Sequence, residues 1–243
     1  MISLLRKEIS DFLSSIIGYL VIAVFLCAVG LFTWVFPIDM NVLNSGYANL
    51  DALFMLAPWV FLFLGPAVTM RLFAEEQRTG TIEMLMTKPL SDWQIIFAKF
   101  LAGWILMIIA VLPTLVYFYT VYQLRSPKGN LDVGGITDSY IGLIFLDGVY
   151  VAIGLFASSL SNNQIISFII AVFLSFIMFI GFDSLSGFLP NGGMERTFLY
   201  LGIQQHYASM SRGVIDTRDL IYFLSLIGVF LLFTKTKLES RKW

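Results

Sequence analysis

The chain alternates between long apolar runs and short polar connections. Four of the runs contain no Asp, Glu, Lys or Arg, and they cover residues 12–38, 52–70, 100–124 and 148–182. Because a helix needs about 20 apolar residues to cross a bilayer, each run is long enough for at least one span. The runs are also continuous, whereas the strands of a membrane barrel alternate in polarity over about ten residues. The pattern therefore predicts transmembrane helices.

Six helices follow from this pattern. The fourth run is too long for one span, and the polar residues 158–163 offer a break within it. A shorter apolar run, 220–234, is flanked by Arg218 and Lys235, whose long side chains can reach the two membrane interfaces. The predicted spans are 15–36, 53–73, 100–122, 139–158, 164–182 and 218–235. We expect residues 1–243 to form one all-α integral membrane domain.

Composition agrees with a location in lipid. Hydrophobic residues make up 58% of the chain and charged residues 13%, whereas soluble domains average about 25% charged residues. The net charge of −1 gives no indication of a basic nucleic-acid-binding face. The single cysteine, Cys27, lies inside the first span, so no intrachain disulfide can form. The first apolar run lacks a small-residue cleavage site, and we expect it to remain as a span.

The distribution of basic residues predicts the orientation. With both termini in the cytoplasm, ten Lys and Arg residues lie inside and five lie outside, which the positive-inside rule favours. The inner set is Arg6, Lys7, Arg71, Arg78, Lys88, Lys99, Lys235, Lys237, Arg241 and Lys242, and the outer set is Arg125, Lys128, Arg196, Arg212 and Arg218.

The first 14 residues have an amphipathic pattern. Apolar positions recur near helical spacing, and charged positions take the other face. The apolar set is Ile2, Leu5, Ile9, Phe12 and Leu13, and the charged set is Arg6, Lys7, Glu8 and Asp11. A helix of this kind can lie in the cytoplasmic interface. The alternative is a frayed start before the first span.

The connection between the fifth and sixth spans, residues 183–218, is too long for a turn and too short for a folded domain. It mixes apolar residues with Gly, Ser, Asn and Gln, and we expect short helices that re-enter or rest on the outer interface. Asp216 and Asp219 suit the start of span six, where carboxylates meet free N–H groups. His206 lies here, either as a ligand or pH-sensing group or as a hydrogen-bonded interfacial histidine.

The chain contains no recognisable catalytic set. His206 is the only histidine, which excludes a histidine-based metal cluster, and no Walker A pattern occurs. Asp147 is the only acidic residue well inside a predicted span, which makes it a candidate intramembrane polar site. It lies about eight residues, or ~12 Å, from the predicted outer end of span four, where water could reach it. A proton-relay or substrate role and a structural hydrogen bond to a neighbouring helix both remain open.

The polar loop after span two carries the strongest local signals. Gly80 can end one helix in the left-handed conformation, and Thr81 can cap a short helix with Glu83 in its first turn. An apolar ridge would follow, and Ser91 with Gln94 forms a capping-box pattern that opens the next helix. The ridge consists of Ile82, Leu85 and Met86, and Pro89 ends the segment. The loop is either a surface that another protein grips or a well-capped turn.

The loop motif resembles a known family. Residues 76–89 read E-x-x-x-G-T-x-E-x-L-x-x-x-P, which is similar to the coupling-helix motif of ABC-2 transporter permeases. Arg6-Lys7-Glu8, followed by Phe12 and Ser15, resembles the amphipathic elbow helix of that class, and residues 153–164 resemble its junction of spans four and five. Residues 212–216 and 238–241 are similar to the GldF-type gliding-motility permeases of Bacteroidota.

The resemblance implies a type V exporter-like fold with six spans per permease. Two permease units would act with two cytoplasmic ATPase subunits, and the chain itself would bind no cofactor, since ATP and Mg²⁺ belong to the ATPase. The implied ATPase-coupling residues are Glu76, Gly80, Thr81, Glu83, Leu85 and Pro89. Arg6, Lys7 and Glu8 of the elbow helix would touch the ATPase or its edge.

The resemblance also implies partners and a location. A GldA-like ATPase and either a second permease copy or a GldG-like subunit with a periplasmic domain would assemble with this chain in the bacterial inner membrane. We therefore expect a permease that couples ATP hydrolysis to transport or to mechanical transmission. A non-moving membrane anchor is the alternative. An ion-coupled carrier would require paired intramembrane charges, and only Asp147 is present.

Overall fold

The computed structural model describes residues 1–44, 46, 48–86, 90–124, 131–188 and 192–240, without the side chains of Leu85 and Met86. Within these residues the protein is helical and contains no strand. The α-helices are α1 (Ile2–Leu13), α2 (Ile16–Gly30), α3 (Asp51–Thr79), α4 (Thr81–Met86), α5 (Asp92–Val111), α6 (Leu115–Leu124), α7 (Val133–Leu160), α8 (Gln164–Phe176), α9 (Phe182–Ser186), α10 (Gly193–Leu201), α11 (Ile203–Met210) and α12 (Thr217–Glu239). π-Helical turns at Leu31–Val35 and Ile177–Gly181 extend α2 and α8, and a 3₁₀ turn at Leu112–Thr114 joins α5 to α6.

Six helical segments of the described chain are long and apolar enough to cross a membrane, which confirms the predicted number. They cover Ile16–Val35, Asp51–Thr79, Asp92–Leu124, Val133–Leu160, Gln164–Ser186 and Thr217–Glu239. With six crossings, both termini lie at the same end of the bundle. We call this end the terminal face and the opposite end the distal face.

Five spans extend beyond their predicted ends, and polar caps begin the added turns of spans three and four. Span three begins at Asp92 rather than at residue 100, since the Ser91–Gln94 capping box forms as predicted. Span four begins at Val133 rather than at 139, because the Asp132 carboxylate accepts the N–H of Gly135 at 2.9 Å. Span two continues to Thr79 rather than ending at residue 73.

Helix α7 lies at the centre of the bundle. In its most apolar window, 78% of the residues are buried, compared with 28% for the first span, 22% for the fifth and 33% for the sixth. It packs against α3, α5, α8, α11 and α12. The peripheral spans expose long rows of apolar side chains, which suits contact with lipid.

Small residues bring α3 and α7 close together. A Cβ added at Gly65 would stand 3.1 Å from the Cβ of Tyr150, and one at Gly154 would meet Thr69, with its hydroxyl nearest and its Cβ at 3.0 Å. Small residues at such crossings let membrane helices approach closely. The two helices therefore pack nearly backbone to backbone along this face.

Helix α3 remains continuous through Pro58 and Pro66. Proline has no N–H, so Pro58 leaves the carbonyl of Phe54 without its partner within the helix. The hydroxyl of Tyr207, on α11, donates to this carbonyl at 2.7 Å. The distal segment thus supplies the hydrogen bond that this carbonyl lacks, as the dry interior of a membrane requires.

The distal connection forms the predicted short helices α9, α10 and α11, with residues 189–191 outside the described part. His206 is hydrogen-bonded, which agrees with the interfacial role considered for it. Its Nδ1 lies 2.6 Å from the Asp219 carboxylate, and its Nε2 lies 2.9 Å from the carbonyl oxygen of Tyr200. Asp216 caps α12 as predicted, with Oδ1 accepting the N–H of Arg218 at 2.9 Å.

We predict that Gly154→Ala destabilises the fold by about 1–3 kcal/mol, because the added methyl group overpacks the α3–α7 contact. Gly228→Ala in α12 is the matched control, since a Cβ there meets no atom within 4 Å. The measurement is the midpoint of thermal unfolding in detergent. An equal shift for both variants would contradict the close contact.

Candidate functional site

The first helix folds back against the terminal face through the turn at Ser15. The Ser15 hydroxyl accepts the N–H of Gly18 and donates to the carbonyl of Phe12 at 2.9 Å. Arg71 of α3 reaches the same turn, where its guanidinium donates to Ser15 Oγ at 3.1 Å and lies 4.2 Å from the centre of the Phe12 ring. These contacts hold α1 beside the membrane ends of α3 and α5.

Glu8 lies on the buried face of α1, which corrects its predicted place on the charged face. The buried positions of this helix are Leu4, Glu8 and Phe12, which recur every four residues. Ile2 is 79% exposed instead, so the apolar side of α1 is available to the membrane interface. The sequence pattern failed here because the inner face of α1 is defined by a charged partner as well as by apolar packing.

That partner is Lys99 of α5. Its Nζ lies 2.9 Å from Glu8 Oε1 and 2.8 Å from Glu76 Oε1, and it donates to the carbonyl of Leu72 at 2.8 Å. All three ammonium protons are therefore used. The lysine is 1% exposed. We call Lys99, Glu8, Glu76 and the Leu72 carbonyl the lysine node; it joins α1, α3 and α5.

Sequence reasoning missed Lys99 as a site residue and counted it only among the inner basic residues. The available signal was a lysine near the start of a helix that then runs apolar to its end. Because a buried ammonium group requires a compensating charge, a lysine at this position predicts acidic partners from other segments. Two of the residues assigned by the family motifs, Glu8 and Glu76, are those partners.

The lysine node forms the floor of an open cleft on the terminal face, with a volume of about 490 Å³. We call it the terminal cleft. Helix α1 forms one wall, and the end of α3 with α4 forms the other. Its lining residues are Lys7, Glu8, Asp11, Phe12, Arg71, Leu72, Glu75, Glu76, Thr79, Thr81, Met84 and Lys99. Of the predicted site residues, the cleft thus brings together Lys7, Glu8, Glu76 and Thr81.

The other predicted residues occupy different positions. Gly80 ends α3 with φ 73°, the left-handed conformation expected of it. Glu83 lies in the first turn of α4 and is exposed. Arg6 lies on the outer side of α1, away from the terminal cleft. Pro89 and the side chain of Leu85 lie outside the described residues.

One residue of the predicted apolar ridge of α4, Ile82, faces the protein; the side chains of the other two, Leu85 and Met86, lie outside the described residues. Ile82, expected in an exposed apolar ridge, is only 8% exposed and packs on the bundle, whereas Met84 is 72% exposed. Gly80 alone separates α3 from α4, the two helices are in contact, and Ile82 joins the buried apolar core. The outward surface therefore combines Thr81, Glu83 and Met84.

Asp147 lies deeper than predicted. Because α7 begins at Val133 and ends at Leu160, Asp147 stands at its middle, roughly 20 Å from either end. It is fully buried, and neither carboxylate oxygen has a hydrogen-bond partner among the described atoms. The Tyr150 hydroxyl, one turn along α7, shares that condition. No hydrogen bond from a neighbouring helix reaches this carboxylate among the described atoms, and its complete burial argues against the expected water access from the outer end.

These features define a multi-pass membrane protein with a charged, partly open site at one face. A family model described as "ABC-2 family transporter protein" matches residues 2–235, so the chain belongs to this family and is a transmembrane permease subunit of an ABC transporter. Permeases of this family are membrane subunits that act with a partner ABC ATPase and are not themselves catalytic. A search of curated proteins gave no match.

We predict that Lys99→Met destabilises the protein by about 3–5 kcal/mol, because it leaves Glu8 and Glu76 buried without a counter-charge. Adding Glu8→Gln and Glu76→Gln should restore much of the loss. Lys235→Met is the control, since the Lys235–Glu239 pair is 29% and 45% exposed and such pairs contribute about 0–1 kcal/mol. Thermal unfolding in detergent measures all three effects; a Lys99→Met variant as stable as the control would contradict the node.

Proposed function

We propose that this permease converts ATP-driven movement of a cytoplasmic ABC ATPase into movement of its spans, and that the ATPase docks on α4 and the terminal cleft. The proposal rests above all on Lys99, which ties the predicted elbow helix and the predicted coupling segment to one span. ATP and Mg²⁺ would be bound by the ATPase alone. Residues 1–243 would act as a single permease domain.

The lysine node gives docking a mechanical consequence. A force on α4 acts on the last turn of α3, which Gly80 joins to it. Glu76 in that turn bonds Lys99 of α5, and Lys99 bonds Glu8 of α1. Breaking one of these contacts would leave a buried charge unpaired, at a cost of about 3–5 kcal/mol. We therefore expect the ends of α1, α3 and α5 to move as a unit.

The surface of α4 and α1 suits a docking partner. Met84 offers an exposed apolar side chain beside the carboxylate of Glu83, while Lys7 and Asp11 add charges from the opposite wall of the cleft. A groove with an apolar pocket and a basic rim would complement this surface. An ATPase can shift the spans only if these contacts differ between its nucleotide states.

Asp147 is a proposed intramembrane polar site of the same permease. A buried carboxyl group without a hydrogen bond is costly in a dry interior, and Asp147 with Tyr150 forms such a pair on the central helix. We propose that these groups gain partners, either water or a polar part of the cargo, in a second arrangement of the spans. A polar part of the cargo as the partner would mean transport, whereas water as the partner would also fit a permease that transmits only mechanical work.

For the biological setting, we propose a role in gliding motility, with a GldA-like ATPase and a GldG-like subunit as partners. The support is the likeness of residues 212–216 and 238–241 to GldF-type permeases. The same likeness supports a location in the inner membrane, and the ten-to-five distribution of basic residues supports termini in the cytoplasm. The terminal face would then be the cytoplasmic face.

We predict that Glu83→Arg leaves assembly intact but lowers the stimulation of ATP hydrolysis by the permease about fivefold or more, a typical size for coupling between sites. The reversed charge alters the docked surface without entering the bundle. The measurement compares the ATP hydrolysis rate of the purified ATPase alone with its rate in the purified complex with the permease. Glu195→Arg, the same charge change on the distal helix α10, is the control. Unchanged stimulation with full recovery of the complex would favour the anchor alternative.

A second prediction concerns the setting. In a gliding bacterium that carries this permease, deletion of its gene should stop surface gliding, and Glu83→Arg at normal abundance should do the same. Single-cell tracking measures gliding, and immunoblotting measures abundance. Normal gliding of the deletion strain would remove the motility role and leave the permease assignment in place.

A further inference from the structure

The hydroxyl of Ser158, near the end of α7, is inserted into the backbone of α3. Its Oγ accepts the N–H of Phe73 at 3.0 Å and that of Ala74 at 3.1 Å, and it donates to the carbonyl of Met70 at 2.9 Å. In a regular helix these two N–H groups donate to the carbonyls of residues 69 and 70. A side chain placed in this ladder is a recognised cause of helix bending.

Ser158 is completely buried, and neighbouring residues also hold α3 close to α7. Gln77 of α3 donates to the Ser159 carbonyl at 3.2 Å, so a second contact ties the same ends of α3 and α7. Gly154, one turn earlier, lacks the side chain that would separate the two helices. The insertion therefore depends on the close approach of α3 and α7.

The contact with Ser158 marks a point near the end of the continuous helix α3. Pro66 lacks an N–H and removes one bond of the helical ladder on one side, and Ser158 bonds the backbone groups of Met70, Phe73 and Ala74 on the other. Beyond this point, residues 75–79 form an arm that carries Glu76 of the lysine node and ends at Gly80. The arm leads directly into α4, the proposed docking helix.

We propose that Ser158 is a positioning residue that acts as the pivot of this arm and passes its tilt to α7. The inference rests on the proposed function, because the force on the arm comes from the docked ATPase. The N–H groups of Phe73 and Ala74 can bond either Ser158 or the carbonyls of their own helix. The arm thus has two arrangements that leave no backbone N–H unpaired, as the membrane interior requires.

Helix α7 is well placed to carry a movement at Ser158 to the rest of the bundle. It packs on five other helices and crosses the whole bundle. A shift at Ser158 therefore reaches Asp147 and Tyr150 on the same helix. It also reaches the distal helix α11, because Met210 packs against Gly142 of α7.

The test uses the complex with its ATPase in nanodiscs and a matched set of variants. Ser158→Ala removes the hydroxyl, while Ser158→Thr and Ser158→Val have nearly the same shape and differ in the hydroxyl alone. Ser167→Ala is the control, because Ser167 is equally buried and its hydroxyl has no partner among the described atoms. Spin labels at Thr137 of α7 and Arg218 of α12, in a Cys27→Ser background, report movement at the distal face.

The expected result is an ATP-dependent change in the label distance in the parent protein, in Ser158→Thr and in Ser167→Ala. Ser158→Ala and Ser158→Val should lose this change, and their ATPase stimulation should fall about fivefold or more. If Ser158→Ala is not recovered as a complex, the Thr and Val pair decides between pivot and packing. A full distance change in Ser158→Val would overturn the pivot.

The same experiment separates the two proposals. If the parent protein shows no ATP-dependent distance change and Glu83→Arg leaves stimulation intact, the coupling function itself fails. If the parent protein responds and Ser158→Ala responds equally, coupling stands and the pivot does not. Hydrogen exchange at Phe73 and Ala74 gives an independent check, since the exchange rates of these two amides should change in Ser158→Ala and remain unchanged in Ser167→Ala.

Discussion

The terminal face depends on the burial of one ammonium group. Lys99 begins an otherwise apolar part of span three, and a lone charge there would be expelled from the protein interior. Two carboxylates and one backbone carbonyl compensate it. Glu8 can take part only if α1 folds back with that residue inward, and Glu76 only if α3 continues as a helix beyond the apolar run. The position of α1 and the length of α3 follow from this requirement.

Helix α3 shows how a membrane protein tolerates an irregular backbone. No water is present in the bilayer core to satisfy backbone groups, so the carbonyl that Pro58 frees needs a partner on another helix, and other helices bond the backbone of α3 at two further places. Tyr207 of α11 bonds the carbonyl that Pro58 frees, Ser158 of α7 bridges residues 70–74, and Lys99 of α5 bonds the carbonyl of Leu72. Each of these bonds also ties α3 to another helix, so α3 connects the distal segment to the terminal cleft.

The central helix combines satisfied and unsatisfied polar groups. Ser158, near its terminal end, makes three hydrogen bonds, while Asp147 and Tyr150, near its middle, make none with the described atoms. Unsatisfied groups inside a membrane protein are expensive and mark functional positions. The contrast is consistent with a permease whose central helix has a second position, in which the middle of α7 meets polar partners.

The sequence by itself determined the number of spans, the amphipathic first helix, the left-handed end at Gly80, the capping box at Ser91 and the family motif. These are local properties, set by the length of apolar runs and by the chemistry of neighbouring residues. Only the tertiary structure decided that Lys99 meets Glu8, 91 residues away, that Ser158 enters α3, 85 residues away, and that Asp147 lies at mid-helix. It also decided that Ile82 faces inward. The physical reason is that such contacts depend on the rotation, depth and close approach of packed helices, which no single segment specifies.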